Sequence, residues 1–190
     1  MASNVKRGDI YWADLRPVEG SEQGGTRPVF VISNNLMNKF ASVVSVIPMT
    51  RGHEKTKRTI FNVPFAIADA NLDLESIKKL TDSGHHFSIK QDGLFLCNQS
   101  RTISKNRLLG KIGRFNEDTY KTYLYRIENA LIDTFALNAC SDCEVPLGPE
   151  AMFCKACSKV YRIKCIGCGK INSLEDNFCS NCGGKVLKSE

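Results

Sequence analysis

The sequence lacks any run of about 18 apolar residues, the length a membrane-spanning helix requires. Its opening, Met1 to Gly8, also lacks the apolar core of a secretory leader. Both absences point to a protein that stays in the cytoplasm and touches no membrane. Cysteine is nearly missing from the first 139 residues. Only Cys97 occurs there, inside the apolar run Gly93-Leu94-Phe95-Leu96-Cys97, where a small buried hydrophobe is expected instead of a reactive thiol. Histidine is scarce, and His85-His86 have no cysteine or carboxylate at metal-ligating spacing, so a solvated loop pair is expected.

What is present is enough for one ordinary domain and a small accessory one, in 190 residues. Hydrophobic residues make up 42% and charged residues 24%, the balance of a soluble globular chain. The formal charge of +6 is uneven: residues 1–137 hold 19 Lys+Arg against 14 Asp+Glu, residues 138–190 hold 7 against 6. That excess suits a polyanionic partner without naming one.

The other eight cysteines fall in the last 51 residues, as Cys140-x2-Cys143-x10-Cys154-x2-Cys157 and, after seven residues, Cys165-x2-Cys168-x10-Cys179-x2-Cys182. The second set repeats the first with a shift of 25, and Phe178 precedes Cys179 as Phe153 precedes Cys154. Each C-x2-C pair forms a knuckle aiming two thiolates at one point. Two knuckles complete a closed tetrahedral S4 site, the geometry of structural Zn2+. We therefore expect two structural zinc ions, one per repeat, in a domain spanning 138–190 with ribbons at 140–157 and 165–182. A unit this small needs its metal to fold. Phe153 and Phe178 are expected to pack as miniature ribbon cores. The module resembles the double zinc ribbons appended to many proteins. A closed S4 site offers a substrate no open position, so its role is docking, stiffening, sensing, or nucleic-acid contact through Lys155, Lys159, Arg162, Lys164 and Lys170.

The preceding residues, 1–137, read as a second domain. Alternation through Val5, Ile10-Tyr11-Trp12 and Leu15, then Pro28–Ile32, Val43–Met49, Thr59–Val63 and Gly93–Cys97, predicts short strands without intervening helices. A small, mainly antiparallel barrel follows. A closing helix is expected from about Glu117 to Leu137, its apolar stripe formed by Tyr120, Tyr123, Leu124, Ile127, Leu131 and Phe135. Within 64–90, Leu72–Leu80 reads as a short helix with Leu74, Ile77 and Leu80 inward. Trp12 is expected in the core. For Tyr120, Tyr123 and Tyr125, two of them on the helix's apolar face, core packing is expected over base stacking. The linker Asn138-Ala139 is short enough to hold the ribbons near the barrel.

Four blocks carry a resemblance. Val5-Lys6-Arg7-Gly8-Asp9-Ile10-Tyr11-Trp12-Ala13-Asp14-Leu15 and Gly20-Ser21-Glu22-Gln23-Gly24-Gly25-Thr26-Arg27-Pro28-Val29 are similar to the opening of MazF/PemK-type toxins. Ile47-Pro48-Met49-Thr50 and Gln99-Ser100-Arg101-Thr102-Ile103 resemble that family's next motifs. The resemblance, over residues 5 to about 130, implies an SH3-like barrel (MazF/CcdB-like), a homodimer, and cleavage of single-stranded RNA at short motifs without a catalytic metal. It also implies an antitoxin partner. It places the essential arginine on Arg27 and the essential threonine on Thr50.

The chemistry fits those residue types. Attack by the substrate's own 2′-hydroxyl needs no external nucleophile, only stabilisation of the charge that builds on phosphorus. A guanidinium matches two phosphate oxygens. Arg27 is thus an electrostatic catalyst, and Thr50 holds a phosphate oxygen or orients the 2′-hydroxyl. His53 is a candidate acid or base, with a solvent-exposed loop histidine as the plainer reading. Glu22 and Gln23 are placed to read base edges, with Gln99 and Arg101 beside them. Arg51, Lys55, Lys57 and Arg58 form a basic loop suited to phosphate tracking or an ordinary charged hairpin. Compared with compact family members, 64–90 is longer and the zinc tail is additional, so base specificity and antitoxin docking do not carry over. Competing classes are a non-catalytic adaptor for RNA or ribosomes and a gyrase-poisoning toxin; Arg27 and Thr50 favour cleavage over both.

Overall fold

A computed structural model describes residues 4–52, 61–85, 91–148 and 151–187. The chain divides into two compact units, Met1–Thr134 and Phe135–Glu190.

The first unit is built on one antiparallel sheet of β1 (Asp9–Asp14), β2 (Thr26–Val31), β3 (Val43–Arg51), β4 (Asn62–Phe65), β5 (Ala70–Leu72), β6 (Gly93–Leu96), β7 (Arg101–Ser104) and β8 (Leu108–Phe115). The strand order is β4-β6-β3-β2-β1-β8-β5, with β7 joining β3. β3 is the longest strand and serves three partners in turn. It pairs with β7 through Val43–Val46, with β2 through Val46–Pro48 and with β6 through Met49–Arg51. A strand shared in this way curls the sheet into the half-barrel of an SH3-like fold.

Side chains alternate across the sheet, and both faces are buried. Tyr11, Ala13, Leu15, Val29, Val31, Val44, Val46 and Ile103 fill one face. Ile10, Trp12, Phe30, Ile47, Met49, Phe65, Phe95 and Phe115 fill the other, so Trp12 packs in the core. Ring centroids stand 4.9 Å apart for Phe65–Phe95 and 5.1 Å for Phe30–Phe95. Onto this aromatic layer α3 (Glu117–Phe135) lays Tyr123, Ile127 and Ala130, spaced by four and three residues as a helical stripe demands. Tyr120 and Leu131 add partly buried contacts, whereas Tyr125 lies off the stripe and is exposed. Phe135, expected on the stripe, is 59% exposed; it lies one turn past Leu131, the last helical residue packed on the core.

The expected short helix is α2 (Leu74–Asp82), capped by the Asp73 carboxylate accepting from Ser76 N. Leu80 is buried and Ile77 packs on the core, but Leu74 is 74% exposed. It shares their i, i+3 spacing but is the first helical residue, and packing on the core begins one turn later, at Ile77. The shorter α1 (Asn35–Phe40) is capped by Asn34.

Among its described residues the second unit has little core and one two-stranded ladder, β9 (Arg162–Lys164) against β10 (Ile171–Ser173). Cys165, Cys179 and Val186 are buried together with Ile163 against them. Phe153 and Phe178 do not form ribbon cores: they are 54% and 66% exposed. Each precedes a buried cysteine in extended chain, and alternation turns the two side chains to opposite sides. Once the cysteine faces the metal position, the phenylalanine faces out.

Candidate functional site

The loop joining β1 to β2 is closed at its neck by Leu15 N donating to Gly25 O at 3.0 Å. Gly20 and Gly25 sit at φ 57° and 72°, a region open to glycine without strain. Arg27 follows in β2, opposite Ala13, and is half-buried. Its Nε donates to Gly24 O at 2.7 Å and its Nη1 to Gln23 Oε1. Burial pulls the guanidinium below its ordinary pKa. Nη2 makes no hydrogen bond among the described residues.

Thr50 lies near the end of β3. The β2–β3 register ends at Val29–Pro48, and Arg27 and Thr50 each lie two residues beyond that pair. Both therefore project on the face of Val29 and Pro48. On its other edge Thr50 pairs with Leu94, and β6 fits there because residue 93 is glycine. A Cβ at Gly93 would collide with the Thr50 carbonyl and the Phe65 ring.

The third motif joins through the turn Cys97–Gln99 and β7. Gln99 Oε1 accepts from Gln23 N at 3.4 Å, and Arg101 stands 3.8 Å from the Glu22 carboxylate. Glu22, Gln23, Arg27, Gln99 and Arg101 thus form one cluster by contact, with Thr50 entering by register. Arg51 is exposed at the end of β3. His53, Lys55, Lys57 and Arg58 lie outside the described residues, as does His86. Cys97 is buried and its thiol is pushed up to about 12 by desolvation, consistent with an inert hydrophobe.

The ribbon cysteines gather as two sequential groups, Cys140/143/154/157 and Cys165/168/179/182, all Sγ atoms within 4.8 Å of one another in each. Sγ–Sγ separations include 3.4 Å for Cys140–Cys157 and 3.7 Å for Cys165–Cys182. Ligands at about 2.3 Å from one tetrahedral ion stand roughly 3.8 Å apart, so both groups fit zinc. Every knuckle has the same backbone lock. The first cysteine's N–H donates to the carbonyl five residues on, and the residue after the second cysteine donates back, at 2.8–2.9 Å throughout. In the first group the Tyr161 hydroxyl donates to Cys140 Sγ at 3.1 Å and draws that thiol down to about 6. In the second, the Cys182 and Asn181 amides draw Cys179 down to about 6.

Residues 6–131 match the PemK-like, MazF-like toxin of type II toxin-antitoxin systems. The chain belongs to the PemK/MazF toxin family. It is 34% identical over 134 residues to endoribonuclease MazF of Staphylococcus epidermidis, covering 70% of this chain and 93% of the relative. It is 33% identical over 133 residues to endoribonuclease EndoA of Bacillus subtilis (strain 168), covering 70% and 96%. The crystal structure of MazF from Deinococcus radiodurans shares the fold at 16% identity and a TM-score of 0.50, covering 71% of this chain and 99% of that one. Residues 140–183 match the double zinc ribbon, so this PemK/MazF protein carries two tandem ribbon sites.

Two features of the sites had no signal in the motifs alone. Gln23 and Glu22, expected to read bases, are engaged with Arg27 and Arg101 in this structure. Tyr161 stands four residues past Cys157, and only its equivalent in the other repeat, Val186, marks it as a departure from the 25-residue pattern.

Proposed function

We propose that this toxin is an endoribonuclease that cuts single-stranded RNA at short motifs. The supporting observation is the anchoring of Arg27 by Gly24 and Gln23 on the sheet face it shares with Thr50. Two anchors hold the guanidinium plane, and Nη2, without a hydrogen bond among the described residues, is left to donate charge-assisted bonds to a phosphate oxygen.

The substrate's 2′-hydroxyl attacks the adjacent phosphorus, and the bond to the 5′ oxygen breaks. The products are a 2′,3′-cyclic phosphate and a 5′-hydroxyl. The proton lost by the 2′ oxygen is balanced by the one gained at the 5′ oxygen. Arg27 stabilises the phosphorane charge, and Thr50 holds a phosphate oxygen or the 2′-hydroxyl. Because the guanidinium supplies positive charge where it develops, we propose catalysis without a metal. Gln99, Arg101, Arg51, Lys55, Lys57 and Arg58 bind the RNA around this pair. The zinc ions are structural, each held by its four cysteines, and the ribbons stabilise or target the nuclease. We divide the chain into nuclease 1–137 and ribbons 138–190 and propose that it acts as a cytoplasmic homodimer; restraint by an antitoxin is supported by the family's description as toxins of type II toxin-antitoxin systems.

The test is incubation of the zinc-loaded protein with a long single-stranded RNA, with and without EDTA, followed by mapping of the ends. Cuts bearing cyclic phosphates, reduced at least about 100-fold in Arg27→Ala and Thr50→Ala, support the reading. Uncut RNA bound by the zinc-loaded protein assigns it instead to the non-catalytic adaptors. Cutting that EDTA abolishes while both the barrel and the zinc-loaded ribbons stay folded refutes the metal-free step.

A further inference from the structure

The proposed cleavage makes no use of a pocket of about 540 Å³ lined by Asn4, Lys6, Asn35, Asn38, Lys39 and Lys105. Three cations line it and no carboxylate does. Among the described residues none of the three lysines forms an ion pair, whereas Arg7, Arg16, Lys79, Arg101, Lys111, Arg114 and Lys159 all do. Lys105 is half-buried, and its ammonium is pinned by donating to Asn38 O at 2.6 Å. Asn38 is in turn buried and fixed, its amide accepting from Ser33 Oγ at 2.6 Å and donating to Ser33 O at 2.9 Å. Asn35 is oriented by Arg7 N at 2.8 Å. A partly desolvated, immobilised ammonium with no counter-charge is stabilised by an anion.

The pocket's place limits which anion. Lys6 precedes β1 and Asn35 follows β2, while Ala13 pairs with Arg27 at the other end of those strands. Lys6 and Asp9 close a tight turn through Asp9 N donating to Lys6 O, and the strand from Asp9 to Ala13 spans about 13 Å at about 3.3 Å per residue, so the two places lie within about 20 Å of each other. One single strand of RNA can reach both places with a few nucleotides between them. Resting on RNA as the substrate, we infer that this pocket binds a backbone phosphodiester flanking the cut, as an exosite that reads charge and not sequence.

The test compares wild-type, zinc-loaded protein with two variants. Lys6→Gln with Lys39→Gln leaves the Lys105–Asn38 bond intact, and Lys105→Met removes the pinned cation. Substrates are a short RNA holding only the mapped cut site and one extended by about ten nucleotides on each side. For binding, a 2′-deoxy nucleotide at the cut prevents cleavage. The expected result is unchanged cleavage of the short RNA with about 5- to 20-fold weaker binding of the long one. The slope of log affinity against log salt falls by about 0.7 for each phosphate that a variant no longer neutralises. Equal long-RNA binding by wild type and both variants overturns the exosite and leaves the nuclease standing. If wild type neither binds nor cuts RNA, the nuclease reading and the RNA exosite fall together. Saturable pyrophosphate binding that the variants lose, with RNA binding unaffected, reassigns the pocket to a small phosphate ligand and overturns the RNA assignment.

Discussion

The Tyr161 hydroxyl donates to Cys140 Sγ at 3.1 Å while accepting from Ser141 N at 2.8 Å, which bridges the two ends of the first ribbon. Twenty-five residues on, the second ribbon has Val186, buried against Cys165 and Cys179. One ribbon thus supports its first sulfur with a phenol, the other with an apolar contact. Outer partners of this kind typically change metal affinity by about 10- to 100-fold. Tyr161→Phe is expected to weaken zinc at the first site by about 10-fold and leave the second site alone. Competition with a chromophoric chelator reads the two sites as separate steps. Movement of both steps together, or of neither, contradicts the assignment.

The four knuckles differ at the residue after the second cysteine, which is left-handed in each. The second ribbon places glycine there, Gly169 at φ 75° and Gly183 at φ 69°. The first places Glu144 at φ 56° and Ser158 at φ 62°. A side chain in that region costs about 1 kcal/mol or more, partly offset by the freedom glycine adds to the unfolded chain. Glu144→Gly and Ser158→Gly are each expected to stabilise the first ribbon by roughly 0.5–1 kcal/mol. Hydrogen exchange of the Cys140 and Cys154 amides, whose bonds close these knuckles, measures the gain; slower exchange is the expected sign.

These contrasts show where sequence patterns reach and where they stop. The eight ligands and their sequential grouping were readable because the metal imposes spacing directly. β1 to β3 and α3 were readable because each buries residues at its own period. β8 was not anticipated, although it is the strand between β1 and β5. Its sequence, Leu108 to Phe115, is broken by Gly110 and Gly113, residues that weaken any strand pattern. The structure supplies the reason: a Cβ on Gly110 would press into Leu80 of α2, and one on Gly113 into Asn71 and Leu72 of β5. The same glycines that hide the strand let its neighbours pack on it. Phe153 and Phe178 misled for a related reason. Their repetition marked a shared position, but only the direction of the adjacent cysteine decides which side is buried. At the candidate active site the motif residues were legible one by one. Their contacts were not, because Gln23 meets Arg27 and Gln99 across loops whose geometry no local pattern encodes.

Those contacts carry a kinetic expectation. If Gln23 orients the guanidinium, Gln23→Ala leaves Arg27 with Gly24 as its one anchor, and misalignment lowers kcat about 10-fold with KM little changed. Arg27→Lys does not restore the rate, since a point charge cannot reproduce the fork. Single-turnover cleavage at saturating protein separates the effects. A raised KM with a changed cut motif and unchanged kcat would assign Gln23 to base reading instead.

Another contact fixes α3 to the sheet and predicts both a stability loss and a pH dependence. The Tyr123 hydroxyl donates to Asp69 Oδ2 and accepts from Ala66 N at 3.0 Å, tying the helix to the turn after β4. Tyr123→Phe leaves Ala66 N–H and the carboxylate without that partner and is expected to cost about 1–3 kcal/mol, seen as a lower denaturant midpoint at unchanged slope. Burial and Asp69 raise the Tyr123 pKa, and burial with Asp9 raises Tyr11 to about 12. Both phenols are therefore neutral in the fold at a pH where the unfolded chain ionises them. A raised folded pKa stabilises below the unfolded value, near 10, and that stabilisation is lost as pH rises through the folded value. Wild type should lose stability from about pH 10 toward 12, and Tyr123→Phe should lose less over the same range. Parallel pH profiles for the two proteins would show that Tyr123 does not carry this proton.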